Sequence, residues 1–503
     1  MHSNRQHIIH KVYLEIGTAD LDYAHHLKDH LSDFLQEVLF PKLESYFDQL
    51  ASQFSGNTLQ LDQVKVEIMD SDQLDLVDIS ISVNDKVQQA IETKLNKTIS
   101  SEKRNEIIIS EALQWSKAFF HFFDEGTQAW WDLEKETFIP LHEYHNGQEY
   151  FTPAFKSELR LRLLVHSFRE RLIKQLDDEQ LEFLLSETGI VGIENILGNK
   201  DIEEYLTKLN KSQNDDIRLN IRLFFWYTLI SQAINESSQT TRILREKLIH
   251  LLLKGSGISS TIAASPKVKN YISSEIDQYS TEQLILELPL LMEKILEYLK
   301  VDQAQSDKKL IDQNIDNLTK EPFISDPNDG VLPDSEQQND MELIVPNAGL
   351  VLVHPFLKQL LINCDLLDDR KNLVDPEATA HLLHYIATKE EYAYEHQMVF
   401  EKYLVDITSS RSIHRLISLS DYWKEQVEEM LEAVLSHWPA LKNSSADLLR
   451  NEFLQRSGKL ILKEGASKLI VERKTHDILL EKITWNISLV KLPWKEQLLF
   501  VEW

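Results

Sequence analysis

The chain has 503 residues and a formal net charge of −28, with 42% hydrophobic residues, nine Trp and twenty Phe. That apolar content excludes a globally disordered chain, and the length predicts roughly two to four domains. So much negative charge repels phosphate backbones and anionic lipid surfaces, so neither nucleic acid nor a membrane is expected as a partner.

Cys364 is the single cysteine, so no internal disulfide can form. Its neighbours Leu361, Ile362 and Leu366 predict a buried structural thiol. Met1–His10 is polar, with no apolar core of a signal peptide. Apolar runs such as Leu223–Ile234 are interrupted and fall short of the ~20 residues a membrane helix needs. A protein assembled in the cytoplasm is the expectation.

Taken in chain order, His7–Ile16 alternates through Val12, Leu14 and Ile16, a strand pattern. Helical spacing follows at Tyr23, Leu27, Leu31, Phe34 and Val38, and Pro41 should kink or restart that helix. Alternation returns over Leu59–Met69 and again over Leu74–Val83, predicting two more strands. Residues 1–83 therefore predict a small α+β domain, a strand-helix-strand-strand layer. Residues 84–300 predict a long helical domain, with helices at Asp85–Leu95, Ser101–Phe123, Pro153–Leu176, Asp216–Ile234, Thr240–Leu253 and Thr281–Leu299.

Residues 301–342 are rich in Asp, Asn, Gln and Ser and poor in aromatics, which is the composition of an acidic flexible linker. Residues 343–503 predict a C-terminal α+β domain. Its helices fall at Ala348–Asn363, Pro376–Ala387, Asp421–His437 and Ser444–Gln455. Lys459–Glu464 and Lys468–Glu472 flank Gly465-Ala466-Ser467 as a hairpin, and Trp485–Val490 and Leu498–Trp503 add short strands. The fold class is thus mainly α with small α+β parts, ending in a short antiparallel sheet.

The sequence carries few marks of chemistry. His25, His26 and His30 lack the intervening Glu of a zinc protease motif; His142 with His145 and His381 with His384 read better as surface or helix-packing rings. No cysteine pair supports zinc. Gly255-Ser256-Gly257 lacks the spacing and the Lys-Ser/Thr of a phosphate-binding loop, and no Gly-x-Ser-x-Gly elbow occurs. No catalytic, metal or cofactor residue is assigned, and binding rather than catalysis is the expected activity.

Aromatic and proline punctuation is the distinctive feature. The candidate structural or interface anchors are Trp130, Trp131, Pro346, Asn347, His354, Pro355, Phe356, Trp438, Pro439, Trp485, Pro493 and Trp494. Core anchoring and chain reversal account for most such residues, while exposed tryptophans would serve as interface hot spots.

At these segments the chain resembles the tape measure proteins of contractile injection systems, which are phage-tail-like particles. The resemblance runs through Pro346-Asn347-Ala348-Gly349-Leu350 to His354-Pro355-Phe356-Leu357, then His381-Leu382-Leu383-His384-Tyr385 and His437-Trp438-Pro439-Ala440. It continues in Phe453-Leu454-Gln455-Arg456, Val471-Glu472-Arg473-Lys474 and Leu492-Pro493-Trp494. Phe40-Pro41-Lys42-Leu43-Glu44 and Gly126-Thr127 with Trp130-Trp131 extend it to the N-terminal part. Gln128-Ala129 departs from it, standing where an apolar residue and a proline would precede the tryptophans, and residues 200–340 do not contribute.

The resemblance implies an assembly role: setting inner-tube length from within the tube, in contact with tube and spike or baseplate proteins, with no catalytic residues. The protein would then pass from the cytoplasm into the particle, and the symmetry of a tube makes a homo-oligomer an open possibility. As a ruler, 503 residues would span ~750 Å as one helix or ~1,600 Å extended. The turns and core-type tryptophans instead favour compact domains, only tens of ångströms across. Two readings follow: folded ends with a stretching middle, or a compact assembly factor or chaperone that recruits tube, baseplate or cargo proteins.

Overall fold

A computed structural model describes residues 7–9, 12–15, 25, 30–31, 33–54, 57–61, 63–67, 76–99, 108–129, 131, 150–189, 266–276, 278–279, 341–463 and 466–503, with scattered helical positions at 219–234 and 294–298. Two compact units divide the chain. The first comprises Met1–His121, Gln128–Ile139 and His145–Phe155; the second comprises Phe122–Thr127, Pro140–Tyr144 and Lys156–Trp503.

In the first unit a π-helical turn, Phe34–Leu39, leads into α1 (Phe40–Gln53). Pro41 sits at the second residue of α1, where the π-turn passes into the α-helix, so the proline marks a change of helix type within one helical run. Leu43, Tyr46 and Leu50 lie at helical spacing and are buried. They face α2 (Leu76–Ile99), where Tyr46 and Leu50 meet Ile91 and Leu95.

Helix α2 corrects the strand expected over Leu74–Val83. The alternating pattern there conceals an unbroken i+4 series, Ile79, Val83, Val87, Ile91 and Leu95, which forms one helical stripe. Val83 and Val87 join a cluster with Phe34, Leu39 and Leu43, and the off-stripe Ile81 is exposed. Two further strands also shrink. Among the described residues of the segment after α1, only β1 (Asn57–Leu59) is a strand, antiparallel to β2 (Ile108–Ser110); residues 7–9 and 12–15 are in no strand.

α3 (Glu111–Glu125) begins directly after β2, so the helix expected over Ser101–Phe123 is interrupted by that strand; residues 101–107 lie outside the described residues. In the first unit its Trp115, Phe119 and Phe120 rings cluster with Phe151 and Phe155 at centroid distances of 5.1–6.0 Å, Phe120 stacked on Phe155 and the others tilted or edge-on.

The expected helix Pro153–Leu176 is two: α4 (Pro153–Arg162) and α5 (His166–Gln175), parted at an extended Val165. α6 (Asp178–Glu187) opens on a capping box. Asp177 accepts from the Gln180 N–H while the Gln180 side chain accepts from the Asp177 N–H. Arg222 and the Trp226 indole both donate to Asp178, and Arg222 also reaches the carbonyls of Ile173 and Leu176. α7 (Pro266–Ile276) follows. The helix expected at Thr240–Leu253, most of Thr281–Leu299 and the linker up to residue 340 lie outside the described residues.

The rest of the second unit begins with β3 (Met341–Val345), a 3-10 segment Ala348–Val353 and α8 (His354–Asn363). Then come α9 (Pro376–Thr388), α10 (Val399–Leu404), α11 (Asp421–His437) and α12 (Ala446–Leu449), the last running into a π-turn, Arg450–Leu454. β4 (Gly458–Leu462), β5 (Ala466–Val471), β6 (Leu489–Val490) and β7 (Leu498–Glu502) complete a sheet of order β3-β4-β5-β7-β6.

The hairpin β4–β5 and the strand β7 match expectation; the strand expected over Trp485–Val490 is reduced to its last two residues. The sheet is mixed rather than antiparallel, because β5 and β7 run parallel. A parallel neighbour requires a crossover, and the chain makes it through the 3-10 helix Thr475–Lys482.

One core joins sheet and helices, with Val345, Leu460 and Leu469 of the sheet against Leu352, Leu383 and Phe400. The 3-10 segment crosses the π-turn so closely that a Cβ on Gly349 would stand 1.7 Å from the Phe453 carbonyl oxygen. Only glycine permits that crossing.

Candidate functional site

The predicted anchors from Pro346 to Trp494 lie in the second unit, and their tryptophans are tied inward. Trp438 is fully buried at the end of α11 and donates its indole N–H to the Leu479 carbonyl at 3.0 Å. Its ring lies edge-on to Phe453 and Trp485. Trp485 donates to the Leu352 carbonyl and Trp494 to that of Leu404, each at 2.9 Å. Phe356 is half-buried, between His437 and Trp485. A buried indole that finds a carbonyl contributes a large apolar area without leaving a polar atom unpaired.

The prolines do other work. Pro346, Pro355, Pro439 and Pro493 are exposed where the chain turns, and Pro355 lies in the first turn of α8. His354 faces the Val351 carbonyl through Nδ1 at 2.9 Å, and burial holds its pKa below the ordinary histidine value. Trp131 is half-buried against His121, and Trp130 lies outside the described residues.

Asn347 opens onto a buried polar group. Its amide donates to Glu401 at 2.7 Å and lies 3.2 Å from His384 Nδ1, which is 3.0 Å from the same Glu401 oxygen. His381, one turn earlier on α9, contacts the His414 carbonyl through Nε2 at 2.7 Å. Burial pushes His381 and His396 down to about 4, so both rings are neutral at pH 7. The expectation of helix-packing histidines thus holds for His381 and His384. His25 and His30 are exposed, and His26, His142, His145 and Gly255-Ser256-Gly257 lie outside the described residues.

Sequence reasoning missed a second polar centre. Glu395 is wholly buried, with Lys402 of α10 on one carboxylate oxygen and Arg171 of α5 on the other at 3.2 Å. Arg171 also donates to the carbonyls of Phe123 and Asp124 at 2.9 and 2.6 Å and to that of Ser410, while Lys402 donates to those of Ser409 and Arg411.

Gly126 completes the centre. It has φ +75°, and a Cβ there would stand 2.7 Å from Glu395 Oε1. Gln175 bridges the same elements, accepting from the Glu395 N–H at 2.8 Å and donating to the Ile413 carbonyl at 2.9 Å. Burial raises the pKa of Glu395 and lowers that of Lys402, each against the pull of its partner. No local signal marks this pairing: Glu395 and Lys402 share their stretch with His396, Gln397 and Glu401, and nothing points to Arg171.

Chemically, these groups connect chain segments and present no reactive atom to solvent. Cys364 is buried, and its thiol is pushed up to about 11, far from a thiolate at neutral pH. Among the described residues no three His, Cys, Asp or Glu are placed to hold a metal ion, and no helix is long and apolar enough to cross a membrane.

Fold and polar centres together describe a mainly helical protein, with a mixed sheet in its second unit and an interior there fastened by tryptophans and paired charges. Its kind is given by the family comparison: the model of the contractile injection system tape measure proteins matches residues 6–503, and the chain belongs to that family. Neither a curated protein nor a solved structure matches it.

Proposed function

We propose that the protein sets the length of the inner tube of a contractile injection system, seated in the tube lumen near the spike. The observation that carries this reading is the family match, which runs over residues 6–503 and so takes in both ends and the acidic middle. Its partners are then the tube protein and the spike or baseplate proteins. The particle assembles in the cytoplasm, and the protein remains inside it.

The C-terminal part acts as a folded seat. Its interior holds Glu395, Lys402, Arg171 and Trp438, and drawing it out would strip partners from several buried charges at once. Length is supplied elsewhere, by the acidic segment 302–340 and the part of the helical middle after α6, since α5 and α6 are tied to the seat through Arg171, Gln175 and Gln180. The domains 1–83, 84–300, 301–342 and 343–503 are proposed on this basis, with Met341 and Glu342 belonging to the sheet through β3.

An in-frame deletion of residues 302–340 tests the ruler and spares β3. Electron microscopy should show tubes shorter by about 60 Å if that stretch works as helix, or about 130 Å if extended. Tubes of unchanged length remove the segment from the ruler. Absence of the protein from purified mature particles would instead favour a transient assembly factor or chaperone.

A further inference from the structure

One face of the C-terminal sheet lies on the core; the other is open. Register assigns the residues: Leu343, Val345, Leu460, Leu469 and Val501 point inward, and their neighbours point out. The outer face carries Ile344 at 46% exposure, Phe500 at 49%, Leu489 at 41% and Leu498 at 37%, with Ile461 and Ile470 half-buried between them. Phe500 is registered with Lys468 on one side and Leu489 on the other, so the apolar residues cross several strands.

The charges on this face are balanced. Lys459 pairs with Glu342 at 2.7 Å and Lys468 with Glu502 at 2.6 Å. Two cations and two anions leave no net charge on the face, in a chain that carries −28. A second copy is equally acidic, so copies approach one another best at neutral surfaces. A face that meets itself must also be complementary to itself, and two Lys–Glu pairs bordered by apolar residues, able to exchange partners with the same pairs of a second copy, satisfy that condition.

We propose that the outer face of this sheet is a self-association surface, covered by the same face of a second copy of the chain. Four strands of five or six residues and the two-residue β6, spaced ~4.8 Å apart, make a face of at most about 19 by 17 Å, or roughly 300 Å². That is well under the ~800 Å² each partner contributes to a standard interface, so the dimer is weak and concentration-dependent. The inference stands independently of the ruler: a compact assembly factor would dimerise in the same way.

Sedimentation of the full chain from about 5 to 100 µM provides the test, that range bracketing a micromolar dissociation constant. The wild type should shift from monomer to dimer as concentration rises. Phe500→Glu should associate at least about tenfold more weakly, since it places a charge in the middle of the face. Ile478→Glu, on an exposed residue outside the sheet, should behave as wild type.

Lys459→Glu alone should weaken the dimer, and Glu342→Lys with Lys459→Glu should restore it, because the swap returns the face to neutrality. A wild type that stays monomeric throughout overturns the proposal. So does a Phe500→Glu variant with wild-type circular dichroism that still dimerises like the parent, or a charge swap no better than the single change.

Discussion

Glu395→Gln isolates the buried charge centre with little change in volume. In the wild type one carboxylate faces two cations, Arg171 and Lys402, and all three side chains are at most 2% exposed. An amide can offer an oxygen to only one of them; its NH2 then confronts the other as donor against donor. Arg171 keeps its backbone carbonyls and Lys402 keeps two, but neither keeps a counter-charge.

Removing one partner of a buried ion pair costs about 3–5 kcal/mol. Burial already pulls the Lys402 pKa down, so the variant gives up its Lys402 proton more readily. The loss should therefore be largest near neutral pH and shrink as pH rises. Hydrogen exchange of the full chain, followed by mass spectrometry on peptides covering α5 and α10, reads this locally. Where exchange proceeds through opening, 3–5 kcal/mol corresponds to a roughly 150- to 5,000-fold faster rate. Glu395→Gln combined with Lys402→Met should recover part of it, because the orphaned cation is gone. A Glu395→Gln variant whose exchange changes less than about fivefold would refute the claim that these charges fasten the elements together.

Gly349→Ala should prevent the C-terminal unit from folding, since its Cβ would collide with the Phe453 backbone and neither segment can retreat without leaving the core; a soluble variant with wild-type circular dichroism and unfolding midpoint would show that the crossing is slack. Acid should weaken the fold through His381 and His396. Their folded pKa of about 4 lies below the ordinary 6.5, so the stability is complete above 6.5 and is lost as pH falls toward 4. At about 1.4 kcal/mol per pH unit, each ring accounts for about 3 kcal/mol over that window. Tryptophan fluorescence melts at pH 7.5 and 5.0 should show a lower midpoint at 5.0, and identical midpoints would contradict neutral burial of these rings.

Local chemistry determined much of the architecture. α11 spans Asp421–His437 as its apolar spacing and the Ser420 cap dictate, and the β4–β5 hairpin forms around the turn residues between its alternating runs. Pro41 stands where the π-turn passes into α1, and Cys364 was buried among its apolar neighbours. These outcomes depend on residues within a few positions of one another.

Where two periodicities overlap, the same reading failed. Over Leu74–Val83 a period of two and an i+4 series coexist, and the face offered by α1 decides for the helix. The direction of β7 was likewise not legible, because a parallel pairing depends on the route of the crossover.

The buried charge centre depended on tertiary structure alone. Arg171 and Glu395 are 224 positions apart, and no pattern within either segment indicates the other. Arg171 looks like any polar helix residue until the fold removes water from around it, and only then does the carboxylate become necessary. The sequence by itself determined helices, turns, the hairpin and the family signature, because these rest on local spacing and on residue types. Tertiary structure decided which charges lose their solvent, which tryptophans face inward and which face of the sheet stays open, because burial is a property of the assembled chain.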